Sequence, residues 1–523
     1  MTSKTRTSLA LLIASAGWLT TVTACGGDDG GGSSSTGGSG GSGGIGGGPI
    51  GGAGGVGGGV GGAGGTTGGA GGTGGAGGTG GAKPDGNDTK ETATQTKIGT
   101  DPQNDSVAGA LDPAATDQDW YKFDGKAGQA LQIITAAKTG TDKFDPTYVD
   151  LVITMYDSTG KKIAEQDDPN PRTSNDPFLM TVLPADGTYY VRVVECTAWE
   201  KGGASNCAPV AKITKKNYSM YITEIKFTDQ GEVKEVEPNE NETQATPLTY
   251  KKNPNQAGSY YLTTVMGTFG SATDVDAYGF TVPTDITVAS GSRLNGSLYT
   301  QEGGVDGNGS TTSPSEIWIA EKAAPTVVLA KVDFSKKDTK SSQGQSIDVP
   351  LIAGKEYVAF YKRAASPTGS NDFYFDLSGF GAGNPVEKNE SANDTLGTAE
   401  ALTVATSQPG SYFIEGDITS TTDVDHFSAN VPSTAWETVS VACGAERSGS
   451  GLRNFTVALL KEDGSAVTGG SIVETATQDA VLSQLTTPTG QSKLIVKLSA
   501  SSKDANIQGT YYRCGIHYRA KTQ

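Results

Sequence analysis

Histidine is almost missing from this 523-residue sequence: there are two, with five cysteines, five methionines and five tryptophans. With only His426 and His517, in different sequence contexts, no His-Glu-x-x-His motif exists, and no His-based nucleophile set can be assembled. No Cys-x-x-Cys occurs either, which argues against a zinc site. Cations are scarce, with 40 Lys and Arg against 57 Asp and Glu and a net charge of −17. That balance disfavours nucleic acid, whose recognition wants a basic face, and electrostatic docking on anionic lipid. Long apolar runs are also lacking. None reaches the roughly 20 residues a spanning helix needs. Carboxylates are plentiful, but no pair stands out as a glycosidase acid and base.

Glycine is the residue in excess. Of 75 glycines, 35 lie in the 57 residues 26–82, and the rest of the chain has an ordinary share. This tract has a single proline, Pro49, so a collagen helix is not expected. Without side chains it has nothing to bury, and a disordered linker is expected, with an r.m.s. span of roughly 40 Å. Gly40-Gly41-Ser42-Gly43-Gly44 satisfies the Gly-x-Ser-x-Gly pattern only by composition, because no strand and helix flank it.

The first residues read as an export signal. Lys4 and Arg6 precede a short apolar run, Leu9–Leu19, and the segment ends in Val22-Thr23-Ala24-Cys25. That ending resembles the lipobox of bacterial lipoproteins. The resemblance implies a signal peptide over residues 1–24, cleavage before Cys25 and lipidation of its thiol. The chain is then expected to be anchored in the bacterial cell envelope, at an outer membrane or cell surface, with residues 25–91 as a tether.

Four cysteines remain, and four allow three pairings. In an exported chain disulfides are the expectation. Pairing within domains joins Cys196 to Cys207, across a short loop, and Cys443 to Cys514 in the last third.

From about residue 92 the texture is all-β, with short runs such as Val149–Tyr156, Tyr189–Val194, Phe455–Lys461 and Tyr511–Tyr518 between Gly, Pro, Asn and Asp. The order of landmarks also repeats. Glu237-Pro238-Asn239 matches Glu387-Lys388-Asn389, and Asn241-Glu242-Thr243 matches Asn393-Asp394-Thr395. Asp274-Val275-Asp276-Ala277-Tyr278 matches Asp423-Val424-Asp425-His426-Phe427. A weaker copy holds Asp117-Gln118-Asp119-Trp120-Tyr121 and closes on Gly187-Thr188-Tyr189-Tyr190-Val191. Three β-sandwich units are expected, at 92–229, 232–380 and 384–521.

This ordered set resembles the bacterial pre-peptidase C-terminal domain, a small jelly-roll-like β-sandwich similar to the collagen-binding domains of clostridial collagenases. The first unit resembles it from Asp117 to Glu195 and has no clear Glu-x-Asn opening. The resemblance implies calcium held by an acidic N-terminal segment and an Asp pair. The ligands carried over are Glu237, Asn239, Asn241, Asp274 and Asp276 in the second unit. In the third they are Glu387, Asn389, Asn393, Asp423 and Asp425. Asp117 and Asp119 form a reduced version in the first. The competing reading is that such aspartates cap turns, with Val275 and Val424 pointing into the core.

Trp120, Tyr121, Tyr278 and Phe427 read as core or sheet-face residues. Tyr260, Tyr261, Tyr412 and Phe413 read as strand packing rather than a ligand platform. His426 is expected on the solvent side and His517 without a partner. Asp306-Gly307-Asn308-Gly309 reads as a plain turn. The function expected is a non-catalytic envelope lipoprotein presenting binding modules to a protein or polysaccharide ligand. A structural envelope protein and a carboxylate-dependent hydrolase are the alternatives.

Overall fold

The computed structural model describes residues 86–99, 105–138, 147–167, 176–199, 207, 210–227, 231–252, 260–300, 314–334, 346–364, 373–388, 390, 392–405, 410–432 and 436–520. Cys25, the glycine tract, Asn389 and the run 306–309 lie outside them. Among the described residues, no helix is long and apolar enough to cross a membrane.

The first unit contains β1 (Thr94–Gln95), β2 (Val107–Ala110), β3 (Gln118–Gly125), β4 (Ala130–Ala136), β5 (Leu151–Tyr156), β6 (Lys162–Gln166), β7 (Phe178–Val182), β8 (Gly187–Glu195) and β9 (Asn217–Glu224). These pair into two sheets, ordered β1-β3-β8-β5-β6 and β2-β9-β4-β7. The second unit contains β10 (Glu232–Lys234), β11 (Thr246–Pro247), β12 (Lys251–Lys252), β13 (Tyr261–Thr268), β14 (Val275–Thr281) and β15 (Ser292–Thr300). It continues with β16 (Glu316–Glu321), β17 (Val328–Asp333), β18 (Ile347–Pro350), β19 (Glu356–Lys362) and β20 (Phe373–Pro385). Its sheets run β11-β14-β19-β16-β17 and β10-β13-β20-β15-β18, with β12 on β13. The third unit contains β21 (Glu400–Ala401), β22 (Ser411–Asp417), β23 (Val424–Asn430), β24 (Trp436–Gly444), β25 (Leu452–Leu460), β26 (Ala466–Val473), β27 (Ala480–Thr486), β28 (Lys493–Lys503) and β29 (Tyr511–Ala520). Its sheets run β21-β23-β28-β25-β26 and β22-β29-β24-β27.

Apart from β10 and β12, the three units repeat one strand order. Alternation builds each core. In β8, Tyr189, Val191 and Val193 face inward while Tyr190 and Arg192 face out, the period of two that a half-buried strand requires. Each sandwich has its own buried cluster, centred on residues such as Phe123 and Val191, Tyr278 and Phe380, and Phe427 and Val496. The fold is all-β, built of β-sandwiches, as the turn spacing predicts.

Both disulfides are present, Cys196–Cys207 and Cys443–Cys514. Cys443 on β24 stands directly opposite Cys514 on β29. The Cys196–Cys207 loop lays Trp199 over Val152 and Val194 on the outer face of the first sandwich.

The units pack on one another. Met180 and Ala130 of the first meet Met266, Phe373 and Phe375 of the second in an apolar cluster. The join between second and third is largely polar. Asn295 donates to both oxygens of Glu415 at 3.0 and 2.9 Å, and Arg513 bonds Glu415 at 3.0 Å while facing Asp348 at 3.6 Å. Arg293 pairs with Asp417. Backbone bonds add to this, with Lys331 N–H donating to Gly449 C=O at 2.9 Å and Gln508 N–H to Val328 C=O at 2.8 Å.

Candidate metal centre

Three buried asparagines register the repeat: Asn87, Asn239 and Asn393. Each lies seven residues before a short strand that pairs in parallel with the strand of the aspartate pair, at Thr94, Thr246 and Glu400. Each carbonyl accepts a backbone bond from the residue that follows the second Asp of the pair. The donors are Trp120 at 2.8 Å, Ala277 at 2.7 Å and His426 at 2.9 Å. The first unit therefore has the opening segment that its sequence obscures, and its packing reaches back to Asn87, upstream of residue 92.

This registration shifts the comparison of the second and third units by two residues. Asn239, not Asn241, stands where Asn393 stands. Asn241 accepts N–H bonds from Thr243 and Gln244 at 3.0 and 3.2 Å, closing a local turn. Thr395 and Thr398 close the same turn in the third unit, with hydroxyls 2.8 Å apart. Asn241 thus closes a turn in this structure, two residues beyond the position that Asn393 occupies. Glu235 in turn matches Glu387: their N–H groups bond the carbonyls of Met266 and Glu415, both at 2.9 Å, at equivalent places on β13 and β22. Two extra residues between Glu387 and Asn393 hide the correspondence in the sequence.

The two aspartates of each pair do different work. The first caps the turn before its strand. Asp117 accepts from the N–H groups of Asp112 and Gln118 at 2.6 and 2.9 Å, Asp274 from Gly270 and Val275 at 2.5 and 3.1 Å, and Asp423 from Thr419 at 2.5 Å. The second points between the sheets, where a tyrosine of the last strand donates to it. Tyr218 bonds Asp119 at 2.5 Å, Tyr374 bonds Asp276 at 2.6 Å and Tyr512 bonds Asp425 at 2.8 Å. Parity is therefore opposite to the turn-only reading. Asp276 and Tyr278 share the inner face, while Val275 packs with Ala277 on the outer face.

Around these pairs the carboxylates gather. Ligand-capable oxygens of Glu235, Glu237 and Asp276 lie within 4.8 Å of one another, as do those of Asp394, Asp423 and Asp425. Burial, then the neighbouring acids, pushes Asp276 up to about 8 and Asp425 up to about 7. Glu235 is raised to about 7 and Glu390 to about 8, each first by burial. Such shifts mark buried, crowded carboxyls that take up protons because no cation balances their charge. Asp276 Oδ1, Asn239 Oδ1, Asp425 Oδ1 and Asn393 Oδ1 are buried acceptors with no hydrogen-bond donor. Hard oxygen donors left open in an acidic cluster fit a Ca²⁺ ion. Among the described residues of the first unit, no such cluster forms around Asp119.

Of the residues expected from sequence, the structure brings together Glu237 with Asp276 in the second unit and Asp423 with Asp425 in the third. Asp274 and Glu387 lie beside these groups, within electrostatic reach of Glu237 and Asp425 respectively. Glu235, Glu390 and Asp394 were not among the expected ligands. The signal for Asp394 was its place in the quoted Asn-Asp-Thr run. Glu235 could have been found by aligning on Asn239.

The histidines differ from expectation. His426 is buried, with Nδ1 3.2 Å from the Asn393 carbonyl oxygen, because its residue follows the inward Asp425 onto the covered outer face. His517 Nδ1 lies 2.9 Å from Ser411 Oγ on the paired strand. Tyr412 is buried and bonds the Asn430 carbonyl at 2.8 Å, as strand packing implies.

The fold and the repeated Asp–Tyr join define a tandem of β-sandwich domains. Residues 117–195 match the bacterial pre-peptidase C-terminal domain family, so the first unit carries that domain. A relative, a probable subtilase-type serine protease of Deinococcus radiodurans, is 29% identical over 111 residues, which are 21% of this chain and 14% of that protein. The match thus spans about a seventh of the relative's length. Among solved structures, the pre-peptidase C-terminal domain of a Bacillus anthracis collagenase is 13% identical, covering 25% of this chain and 94% of that one, with a TM-score of 0.17. The tandem CBM51 modules of a family 98 glycoside hydrolase from Streptococcus pneumoniae are 11% identical, covering 50% of this chain and 84% of that one, with a TM-score of 0.15.

Proposed function

We propose that this chain is a non-catalytic, lipid-anchored envelope protein that presents three accessory binding modules, two of them stabilised by calcium. The observation that carries the calcium reading is the pair of buried, donorless carboxylate oxygens, Asp276 Oδ1 and Asp425 Oδ1, each inside an acidic cluster. Glu235, Glu237, Asn239 and Asp276 would hold one ion, and Asn393, Asp394, Asp423 and Asp425 the other. A bound ion would neutralise the clustered charge and tie each opening segment to its sandwich. This chain's own residues already orient the ligands: Tyr374 and Tyr512 fix one oxygen of each inward Asp, leaving the other open.

The match of residues 117–195 to the bacterial pre-peptidase C-terminal domain family supports the accessory role. The relative named as a protease is matched over too little of its length to bring its activity here. Both histidines lie in the third unit, each close to a neighbouring oxygen. The Val22–Cys25 run supports anchoring through a lipid on Cys25, and the glycine tract supports a tether holding the modules off the membrane. The acidic balance argues against nucleic acid as partner and leaves a protein or polysaccharide.

Two experiments test this. The full chain is incubated with envelope and extracellular polymers in calcium and in EDTA. Retention on a protein or polysaccharide supports the binding role, and retention on none contradicts it. Cys25→Ser should move the protein from the membrane to the soluble fraction; unchanged fractionation contradicts the anchor.

A further inference from the structure

The two joints between sandwiches are one joint used twice, with its chemistry exchanged. The inward tyrosines give the alignment, since Tyr374 stands opposite Gly267 and Tyr512 opposite Gly416. Met266 precedes Gly267 and pairs across the strands with Phe375, which follows Tyr374. Glu415 precedes Gly416 and pairs with Arg513, which follows Tyr512. The opposing half of the joint aligns in the same way. Thr135 faces Met220, two residues after Tyr218, and Thr300 faces Asp376, two residues after Tyr374. Five residues earlier lie Ala130 and Asn295. Beside them, Gln132 faces Met180 and Ser297 faces Asp348. Ala130 and Met180 of the first unit thus hold the places of Asn295 and Asp348 in the second. Met266 and Phe375 of the second hold those of Glu415 and Arg513 in the third. The contacts correspond too. Ala130 and Met180 cluster with Met266 and Phe375, while Asn295 bonds Glu415 and Asp348 faces Arg513 at 3.6 Å.

The same alignment finds two further copies of this face, at the outer sides of the first and third units. In the first unit the places of Met266 and Phe375 are held by Ala108 and Ser219, again a cross-strand pair. In the third, Cys443 faces Cys514, two residues after Tyr512, so Thr438 takes the place of Asn295. Ser440 takes that of Ser297, and its Oγ accepts the Gln484 N–H at 2.9 Å. Ala108 and Gln484 are exposed. Neither outer face has a charge or a large apolar side chain at these places.

We infer that this repeated face is a docking address, read unit by unit. An apolar pair on the first sandwich admits the second, and an amide and acid on the second admit the third. The outer faces admit no sandwich of a second copy. A wrong match is penalised on both sides. Met266 and Phe375 set against Asn295 and Asp348 would bury a carboxylate under hydrocarbon. Glu415 and Arg513 set against Ala130 and Met180 would lose the bonds that offset their burial. Such mismatches confer specificity through repulsion as much as through attraction. Small uncharged side chains at the outer faces provide no anchor, as terminal repeats of stacked arrays require. The joints thereby fix the order of the three modules. The inference rests on neither the calcium nor the binding reading.

Calorimetry of the full chain in EDTA tests it by copying the first joint into the second. The half exchange Glu415→Met/Arg513→Phe lays hydrocarbon over Asp348 and should split the melting of the second and third units into two transitions. The full exchange adds Asn295→Ala and Asp348→Met and should restore one transition. Two transitions in the full exchange, or one in the half exchange, overturns the inference. Far-UV circular dichroism before melting shows whether each variant keeps its β-structure. If the first half exchange does not fold, the reciprocal half, Asn295→Ala/Asp348→Met, should split the melting in its place, and one transition there overturns the inference. Sedimentation of the parent chain in detergent should give one mass at all concentrations. Self-association that Ala108→Arg or Gln484→Arg abolishes overturns the reading of the outer faces.

Discussion

Tyr512 donates its hydroxyl proton to Asp425 Oδ2 at 2.8 Å, joining the last strand of the third sandwich to the strand of the opposite sheet that carries the aspartate pair. The same join recurs between Tyr374 and Asp276 and between Tyr218 and Asp119. Each tyrosine lies against a glycine on the neighbouring strand, in the register pairs Gly109 with Tyr218, Gly267 with Tyr374 and Gly416 with Tyr512. The inward Asp is thus held by the sandwich itself, and only its second oxygen is open.

Removing that hydroxyl should expose how much the join contributes. Tyr374→Phe leaves the buried Asp276 without its donor, and loss of a partner from a buried polar group costs about 1–3 kcal/mol. Urea unfolding in EDTA should show this destabilisation. An unchanged midpoint would mean that Asp276 has another partner.

The glycine is required for space. A Cβ at Gly267 would stand 2.2 Å from Tyr374 Cζ, and one at Gly416 would stand 2.2 Å from Tyr512 Oη. Gly267→Ala should therefore displace the ring and destabilise the second unit by about 1–3 kcal/mol, the usual cost of overpacking. Thermal unfolding of the variant checks it, with Gly397→Ala, where nothing lies within 4 Å, as the control.

Stability should fall as pH rises in the absence of metal. Burial, reinforced by neighbouring acids, raises Asp276 to about 8, Asp425 to about 7 and Glu235 to about 7. Unfolded carboxyls titrate near 4. The folded state thus binds more protons between about 4 and 8, so this stability is complete below that window and lost as pH rises through it. Calorimetry in EDTA should give a higher melting temperature at pH 5 than at pH 8.5. The lowered groups Asp463 and Asp504 change ionisation below this range, and His517, pushed down to about 4 by burial, adds stability as pH rises to about 6.5, which offsets part of the loss from the three carboxyls without reversing it.

Arg513 is the cation that two buried acids from different units share. Arg513→Ala leaves Glu415 and Asp348 facing each other across the joint, and breaking a buried pair costs about 3–5 kcal/mol. In the parent the second and third units should melt together, and in the variant they should melt in separate transitions by calorimetry. A single unchanged transition would mean that the backbone bonds at Lys331 and Gln508 suffice.

Much of the fold was legible in the sequence because sandwiches announce themselves locally. Alternation in Tyr189–Val194, turn residues such as Asp463-Gly464 and the repeated Asp-x-Asp-x-aromatic run are all short-range signals. The disulfides followed from counting cysteines within units. The site was legible only in part. Its tyrosine comes from a strand far along the chain, Tyr374 lying 98 residues after Asp276, and no local pattern records that meeting. The two-residue insertion after Glu387 misaligned Asn241 with Asn393. It concealed Glu235, because comparison by motif followed the Asn-Glu-Thr run rather than the carbonyl that bonds Ala277. His426 misled for a related reason: its position faces away from the core yet is covered by the opening segment at Asn393.

The most direct test of the account is calcium titration of the EDTA-stripped chain by calorimetry, beside the double variant Asp276→Asn/Asp425→Asn. The account predicts two calcium ions bound per chain, a rise in melting temperature at pH 8.5, and loss of both effects in the double variant. No heat of binding with identical melting curves in calcium and EDTA, or undiminished binding by the variant, would contradict it.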